Sequence, residues 1–146
     1  PFNIYGERYK WRGDYSQAIP MLISKILSNK ENVNVWGSGN QKRNYLHAYD
    51  CATIFKKLFD LCYTKQPVNI AHDKTISIKE LVILIRDKAK LKTTFHFDTS
   101  KPEGRFIKSS DTKLLKSLIP NHLNIISLEK GIIKMIDWYK DLSFNK

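Results

Sequence analysis

What most constrains this chain is a repeated switch of hydrophobic period, in which short runs alternating every second residue give way to stretches where apolar residues return every third or fourth. Ile19, Leu22, Ile23, Ile26 and Leu27 follow the helical period and predict a helix over about 17–28, with Pro20 tolerated in its first turn. Val33–Trp36 alternates, and the turn formers Gly37, Ser38, Gly39 and Asn40 separate it from a second extended run, Asn44–His47, which predicts a hairpin-like unit. Asp50 is expected to cap a helix over about 50–63 whose apolar face is Cys51, Phe55, Leu58 and Cys62. Pro67–Ala71 reads as a compact strand, and Ser77 with Glu80 forms a capping box ahead of Ile78, Leu81, Val82, Ile85 and Ala89. Residues 93–97 return to alternation, 100–105 form a polar loop, and Asp111 caps a short helix through Leu118. Ser127 caps a last helix carrying Leu128, Ile132, Met135, Ile136 and Tyr139 on one face. Strands alternating with helices define an α/β class.

The 146 residues amount to one unit and leave no room for both a cofactor domain and a substrate domain. Hydrophobic residues at 42% and charged ones at 27% give a globular composition, which excludes disordered and repetitive classes. No apolar run approaches the roughly 20 residues of a membrane span, so a soluble, cytoplasmic protein is expected. Because the chain opens on Pro1 without Met, it is read as a piece of something longer. Cys51 and Cys62 lie three helical turns apart, about 16 Å on one helix, too far for a disulfide. Buried thiols in a reducing compartment are expected, and no Cys/His pair at ligand spacing points to a metal.

A net charge of +11 creates a field that attracts phosphates of any kind. The basic residues are spread along the chain and not interleaved with aromatics, which argues against a nucleic-acid surface. A dinucleotide fingerprint needs three glycines opening a helix, and a P-loop needs Gly-Lys-Ser/Thr; neither occurs, and Gly37 with Gly39 reads as a turn. The four histidines are scattered, with no nucleophile elbow or H-x-x-x-H spacing. No catalytic residue is assigned. The residues suit holding an anion better than breaking a bond. Asn3, Arg43, Lys101 and Arg105 fall at strand ends or in loops, where α/β proteins gather ligands. The two arginines can fork onto a phosphate, while a cation of this kind taken singly is more often a solvated surface residue. A stand-alone nucleotide- or anion-binding module, or a basic nucleic-acid-binding domain, stays open at this point.

The succession of motifs is more informative than any one. PFNIYG (1–6), AIPMLI (18–23), VWGSGNQKRNYLHAYDCA (35–52), PVNIA (67–71), SIKELV (77–82), FDTSKPEGR (97–105), SSDTKLLK (109–116) and ISLEKGIIKMIDWY (126–139) resemble, in order, the C-terminal part of the extended short-chain dehydrogenases. These are the NAD-dependent epimerase/dehydratase family of nucleotide-sugar enzymes. VWGSG and FDTSKPEG are most similar to its GDP-L-fucose synthase branch. The resemblance implies that residues 1–146 are the substrate-binding part of such an enzyme, with most of the Rossmann core missing and NAD or NADP held chiefly by chain outside this sequence. It implies a nucleoside-diphosphate sugar as partner and a homodimer for the intact enzyme. By position it implies that Asn3 and Arg43 approach the diphosphate, that Trp36 packs near the nucleobase, and that Lys101 and, more loosely, Arg105 add positive charge. The chain departs from the family in two respects. No Tyr here has Lys four positions on, so the piece alone is expected to be inactive, and Gln17 stands where the fucose synthase branch has a catalytic His. An amide cannot be the acid of an epimerisation.

Overall fold

Strand pairing is dispersed over three small sheets, and the helices fill the space between them. The structure, a computed structural model, describes residues 1–9, 17–61, 66–120 and 126–144. Strand β1 (Ile4–Tyr5) runs parallel to β4 (Leu46–His47). Strand β2 (Asn32–Trp36) runs parallel to β6 (Thr94–Asp98), with Val35 opposite Phe97 and Trp36 opposite Asp98. The third sheet centres on β3 (Lys42–Arg43), antiparallel to β5 (Ile76–Ser77) and parallel to β7 (Ile107–Lys108).

The larger core forms where three helices converge on one face of β2. Helix α1 (Ala18–Ser28) buries Ile19, Leu22, Ile23 and Ile26, at the predicted positions. Helix α3 (Ile78–Lys88) buries Ile78, Leu81, Val82 and Ile85, and α5 (Leu128–Phe144) buries Ile132, Met135 and Ile136. Val33 and Val35 supply the inward residues of β2, and Tyr5 closes the cluster from β1. Each such aliphatic side chain contributes roughly 1.5–3 kcal/mol on burial, so this cluster organises the fold. A smaller cluster of Leu46, Cys51, Ile54, Ile70, Leu115 and Ile119 lies under α2 (Ala48–Asp60) and α4 (Lys113–Leu118). Burial pushes the Cys51 thiol up, away from reactivity.

The α3 capping box is present in full. Ser77 Oγ accepts from the Glu80 N–H at 3.1 Å, and the Glu80 carboxylate accepts from the Ser77 N–H at 2.8 Å. Ser127 Oγ accepts from the Lys130 N–H at 3.3 Å, as expected of the cap of α5.

Several expectations are corrected. Residues 33–47 are not a hairpin: β2 finds its partner in β6, some sixty residues on, and the 37–40 turn carries the chain from one sheet into another. The expected strand 44–47 resolves into β3 and β4, which belong to different sheets. Residues 67–71 form no strand; they run beside the chain start, where Ile70 O accepts from the Phe2 N–H at 2.9 Å. Helix α2 begins two residues before Asp50, capped by His47, whose Nδ1 accepts from the Tyr49 N–H at 3.2 Å. Of its predicted apolar face, Cys51 is buried and Leu58 packs against the smaller core, but Phe55 is half exposed and its neighbour Ile54 takes the inward place. Cys62 and the end of that predicted helix lie outside the described residues. Thr112, not Asp111, is the cap position of α4. Asp111 Oδ1 instead accepts from the Lys113 N–H at 2.8 Å.

Candidate functional site

Where β1, the start of α1 and the third sheet meet, they leave an open cleft of about 400 Å³ lined by Asn3, Gln17, Ala18, Arg43, Tyr45, Arg105 and Lys108. Among the described residues, three cations and no carboxylate line it. Asn3 sits just before β1 with φ of +44°, in the left-handed region that non-glycine residues seldom adopt and Asn tolerates best. Its backbone carbonyl accepts from the Leu46 N–H at 3.3 Å, and its side-chain Nδ2 donates to Asn44 Oδ1 at 3.1 Å. Gln17 is the cap residue of α1, but its side chain makes no capping bond, so the amide is presented to the cleft beside the positive end of that helix.

Arg43 lies at the centre of the third sheet, paired in register with Lys108 of β7, and that pairing brings the two cations together. Arg43 Nη1 donates to Lys42 O at 2.7 Å, which orients the guanidinium. The Tyr45 ring forms a wall; burial pushes its hydroxyl up to about 12, against the opposing pull of Arg43, so it stays protonated at neutral pH.

Arg105 arrives on the loop after β6, which is anchored at both ends. At its start, Asp98 Oδ1 accepts from the Ser100 N–H and hydroxyl at 3.1 and 2.6 Å, and the hydroxyl bond is the main cause of that carboxyl's lowered pKa. Further on, the Glu103 carboxylate accepts from the Ser38 N–H and hydroxyl. Gly104, with φ of +71°, then passes close to the Arg43 guanidinium.

Of the five residues singled out from the sequence, the structure brings Asn3, Arg43 and Arg105 together in the cleft. It does not bring Trp36 or Lys101 into it. Trp36 is 57% exposed at the end of β2, with Lys25 Nζ 5.9 Å above its ring, and Lys101 lies on the turn after Asp98, the residue that pairs with Trp36. Both sit at Asp98, the end of β6 from which the loop to Arg105 departs. Lys108 and Tyr45 escaped the sequence reading. The strand that delivers Lys108 is two residues long, and only its register with Arg43 gives it meaning.

The same geometry tests the described residues as a cofactor cradle. In the turn at Gly37 and Gly39, the space in front of each glycine is filled by Glu103 and Phe97 respectively, and the Ser38 amide is already bonded to a carboxylate. These residues do not fit a dinucleotide pyrophosphate. No helix among the described residues is long and apolar enough to cross a membrane.

The sequence profile of the NAD dependent epimerase/dehydratase family matches residues 1–71. A GDP-L-fucose synthase from Sinorhizobium fredii is 32% identical over 140 residues, covering 92% of this chain and 43% of the relative. A GDP-L-colitose synthase from Yersinia pseudotuberculosis is 31% identical over 144 residues, covering 95% and 46%. Among solved structures, a GDP-L-fucose synthetase from Naegleria fowleri bound to NADP superposes with a TM-score of 0.87 at 21% identity, covering 97% of this chain and 46% of that one. The UDP-glucose 4-epimerase from Thermotoga maritima, solved with UDP-glucose, superposes with a TM-score of 0.81 at 18% identity, covering 97% and 45%. The chain therefore belongs to the NAD-dependent epimerase/dehydratase family, the extended short-chain dehydrogenases, and is nearest in motif to the GDP-L-fucose synthase branch. It spans less than half the length of these relatives.

Proposed function

We propose that this chain is the substrate-binding part of an NAD(P)-dependent nucleotide-sugar epimerase, dehydratase or reductase, and that its cleft holds the diphosphate of a nucleoside-diphosphate sugar. The observation that carries this reading is the convergence of Arg43, Arg105 and Lys108, with no carboxylate among the described residues, in a cleft of about 400 Å³, within the size range of small-molecule sites. Two guanidiniums supply forked, charge-assisted bonds to phosphate oxygens, and Lys108 adds a point charge. Asn3 and Gln17 place neutral amides beside them, suited to sugar hydroxyls. Lys101 and Trp36, which lie outside the cleft, are assigned to the nucleoside, with the exposed indole as a stacking face for the base.

Hydride chemistry belongs to the nicotinamide in enzymes of this class, and the glycine turn here is already filled, so the dinucleotide is assigned to chain outside these residues. This chain's part is to bind and orient. With Gln17 in the cleft there is an amide where a proton donor would be needed for the epimerisation of the fucose synthase branch, so a reduction, or an epimerisation relying on another acid, is favoured. A reducing, cytoplasmic setting and a homodimer of the intact enzyme complete the reading.

Calorimetric titration of the full-length gene product with GDP-L-fucose and UDP-glucose tests it. Binding that weakens by about 1–3 kcal/mol in Arg43→Ala is expected, the range for a charge-assisted contact. No heat and no shift in melting with any nucleoside-diphosphate sugar would overturn it.

A further inference from the structure

We propose that Asn44 is a positioning residue, which sets the orientation of the Asn3 side chain in the cleft although it does not line the cleft itself. The inference rests on the nucleotide-sugar reading above and names the device that prepares one wall of that site.

Asn44 is 1% exposed, and a buried primary amide must find partners for both its ends. Its Nδ2 donates to the backbone carbonyl of His72 at 2.9 Å, and its Oδ1 accepts from Asn3 Nδ2 at 3.1 Å. A carbonyl can only accept, so the His72 end of the relay fixes which end of Asn44 faces it. The oxygen of Asn44 must then point at Asn3, and Asn3 must answer with its nitrogen.

One backbone carbonyl, two residues removed from the cleft, thus removes the 180° ambiguity of the Asn3 amide. Asn3 is held a second time through its own carbonyl, which accepts from Leu46 N–H, in a backbone conformation with φ of +44°. With one amide hydrogen engaged, Asn3 offers the cleft its Oδ1 and the other hydrogen. That oxygen is an acceptor among Arg43, Arg105 and Lys108, which only donate. A ligand that carries hydroxyls next to its phosphates uses both kinds of group.

The test is a double-mutant cycle in the full-length gene product with GDP-L-fucose as the calorimetric probe, together with ligand-free crystal structures of the wild type and Asn44→Ala. Asn3→Ala and Asn44→Ala are each expected to weaken binding roughly tenfold, and the double variant no more than about twofold beyond Asn3→Ala, because the second change removes only what the first already lost. Asn44→Asp gives up the donor to the His72 carbonyl but keeps an oxygen facing Asn3 in either orientation, so it is expected to bind more tightly than Asn3→Ala, which also covers the case in which Asn44→Ala does not fold. In the crystal of Asn44→Ala, the Asn3 side chain should leave its wild-type orientation. Losses that multiply in the double variant, Asn44→Asp binding as poorly as Asn3→Ala, or an unmoved Asn3 would each overturn the assignment. If the wild type binds no nucleotide sugar, the functional reading fails by itself, and the crystal comparison alone decides the role of Asn44.

Discussion

The carboxylate of Glu103 accepts two hydrogen bonds from Ser38, from the backbone N–H at 2.5 Å and from the hydroxyl at 3.0 Å. An internal anion thereby occupies the glycine turn after β2, and the loop that carries Lys101 and Arg105 is tied to that turn. The filled turn leaves the glycine pair no room for an external phosphate, and the tie explains how a polar loop holds Arg105 beside Arg43.

Removing the tie should release the loop. Glu103→Ala is expected to destabilise the protein by about 1–2 kcal/mol, toward the lower end for hydrogen bonds to a charged group because the site is partly exposed. Amide hydrogen exchange at Ser38 reports it directly: the N–H should exchange faster in Glu103→Ala and at an intermediate rate in Glu103→Gln, which keeps one acceptor. Unchanged protection would mean that something other than Glu103 holds the turn.

Gly131 of α5 is a second point of close approach. A Cβ there would collide with the hydroxyl and ring of Tyr5, which is 2% exposed and whose hydroxyl finds no hydrogen-bond partner among the described residues. Burial, with Asp50 and Glu7 adding, pushes that hydroxyl pKa far up, so it stays protonated. Gly131→Ala should therefore cost about 1–3 kcal/mol by overpacking, despite the better helix propensity of Ala. In the Tyr5→Phe background the cost should shrink, since the nearest clashing atom is gone. Chemical denaturation of the four proteins of the cycle measures the coupling, and equal costs in both backgrounds would show that Tyr5 is not what Gly131 accommodates.

How much of this was legible beforehand depends on whether the determining contacts are local. The apolar stripes of α1, α3 and α5 and the Ser77–Glu80 box are set by residues three or four apart, and they were read correctly. The hairpin reading failed because the partner of β2 is β6, and nothing within residues 33–47 encodes that choice. Two-residue strands such as β3 and β7 fall below any periodicity signal, so Lys108 could not be placed next to Arg43. Asp is a better cap in general than His, which points to Asp50 as the start of α2, yet His47 takes the role, with its Nε2 bonded at 3.0 Å to Glu7 from a distant loop. Asn3, Arg43 and Arg105 stand out in the sequence as polar residues at strand ends and in loops, and the resemblance supplies their roles, while Asn44, bonded to Asn3, carries no motif of its own.

The capping box of α3 carries a pH dependence. The Ser77 hydroxyl, then its N–H, holds the Glu80 carboxyl below its ordinary 4.5. A carboxyl whose folded pKa is depressed contributes stability above its unfolded value and loses it as pH falls through the folded one. Glu80→Gln should thus lower stability at pH 7 and cost progressively less below pH about 4.5, as urea denaturation at several pH values would show. Ser77→Ala removes the other half of the box and should cost about 1 kcal/mol at neutral pH. A Glu80→Gln cost that does not change with pH would deny the charged form any role.

The register pair Arg43 and Lys108 sets two like charges side by side on neighbouring strands, which is unfavourable unless an anion lies between them. The two cations should therefore trade stability against binding. Lys108→Met, which keeps the aliphatic stem, is expected to leave the ligand-free protein unchanged or a few tenths of a kcal/mol more stable, while weakening nucleotide-sugar affinity by about 1 kcal/mol. Arg43→Met should weaken binding more, because a forked guanidinium is lost in place of a point charge. Both losses should diminish as salt is raised, since the cleft is open and screening reaches it. Melting curves with and without GDP-L-fucose, at low and high ionic strength, separate the two effects. If Lys108→Met lowered the ligand-free melting temperature and left the affinity alone, the lysine would be a strand residue only, and the anion would sit on the arginines without it.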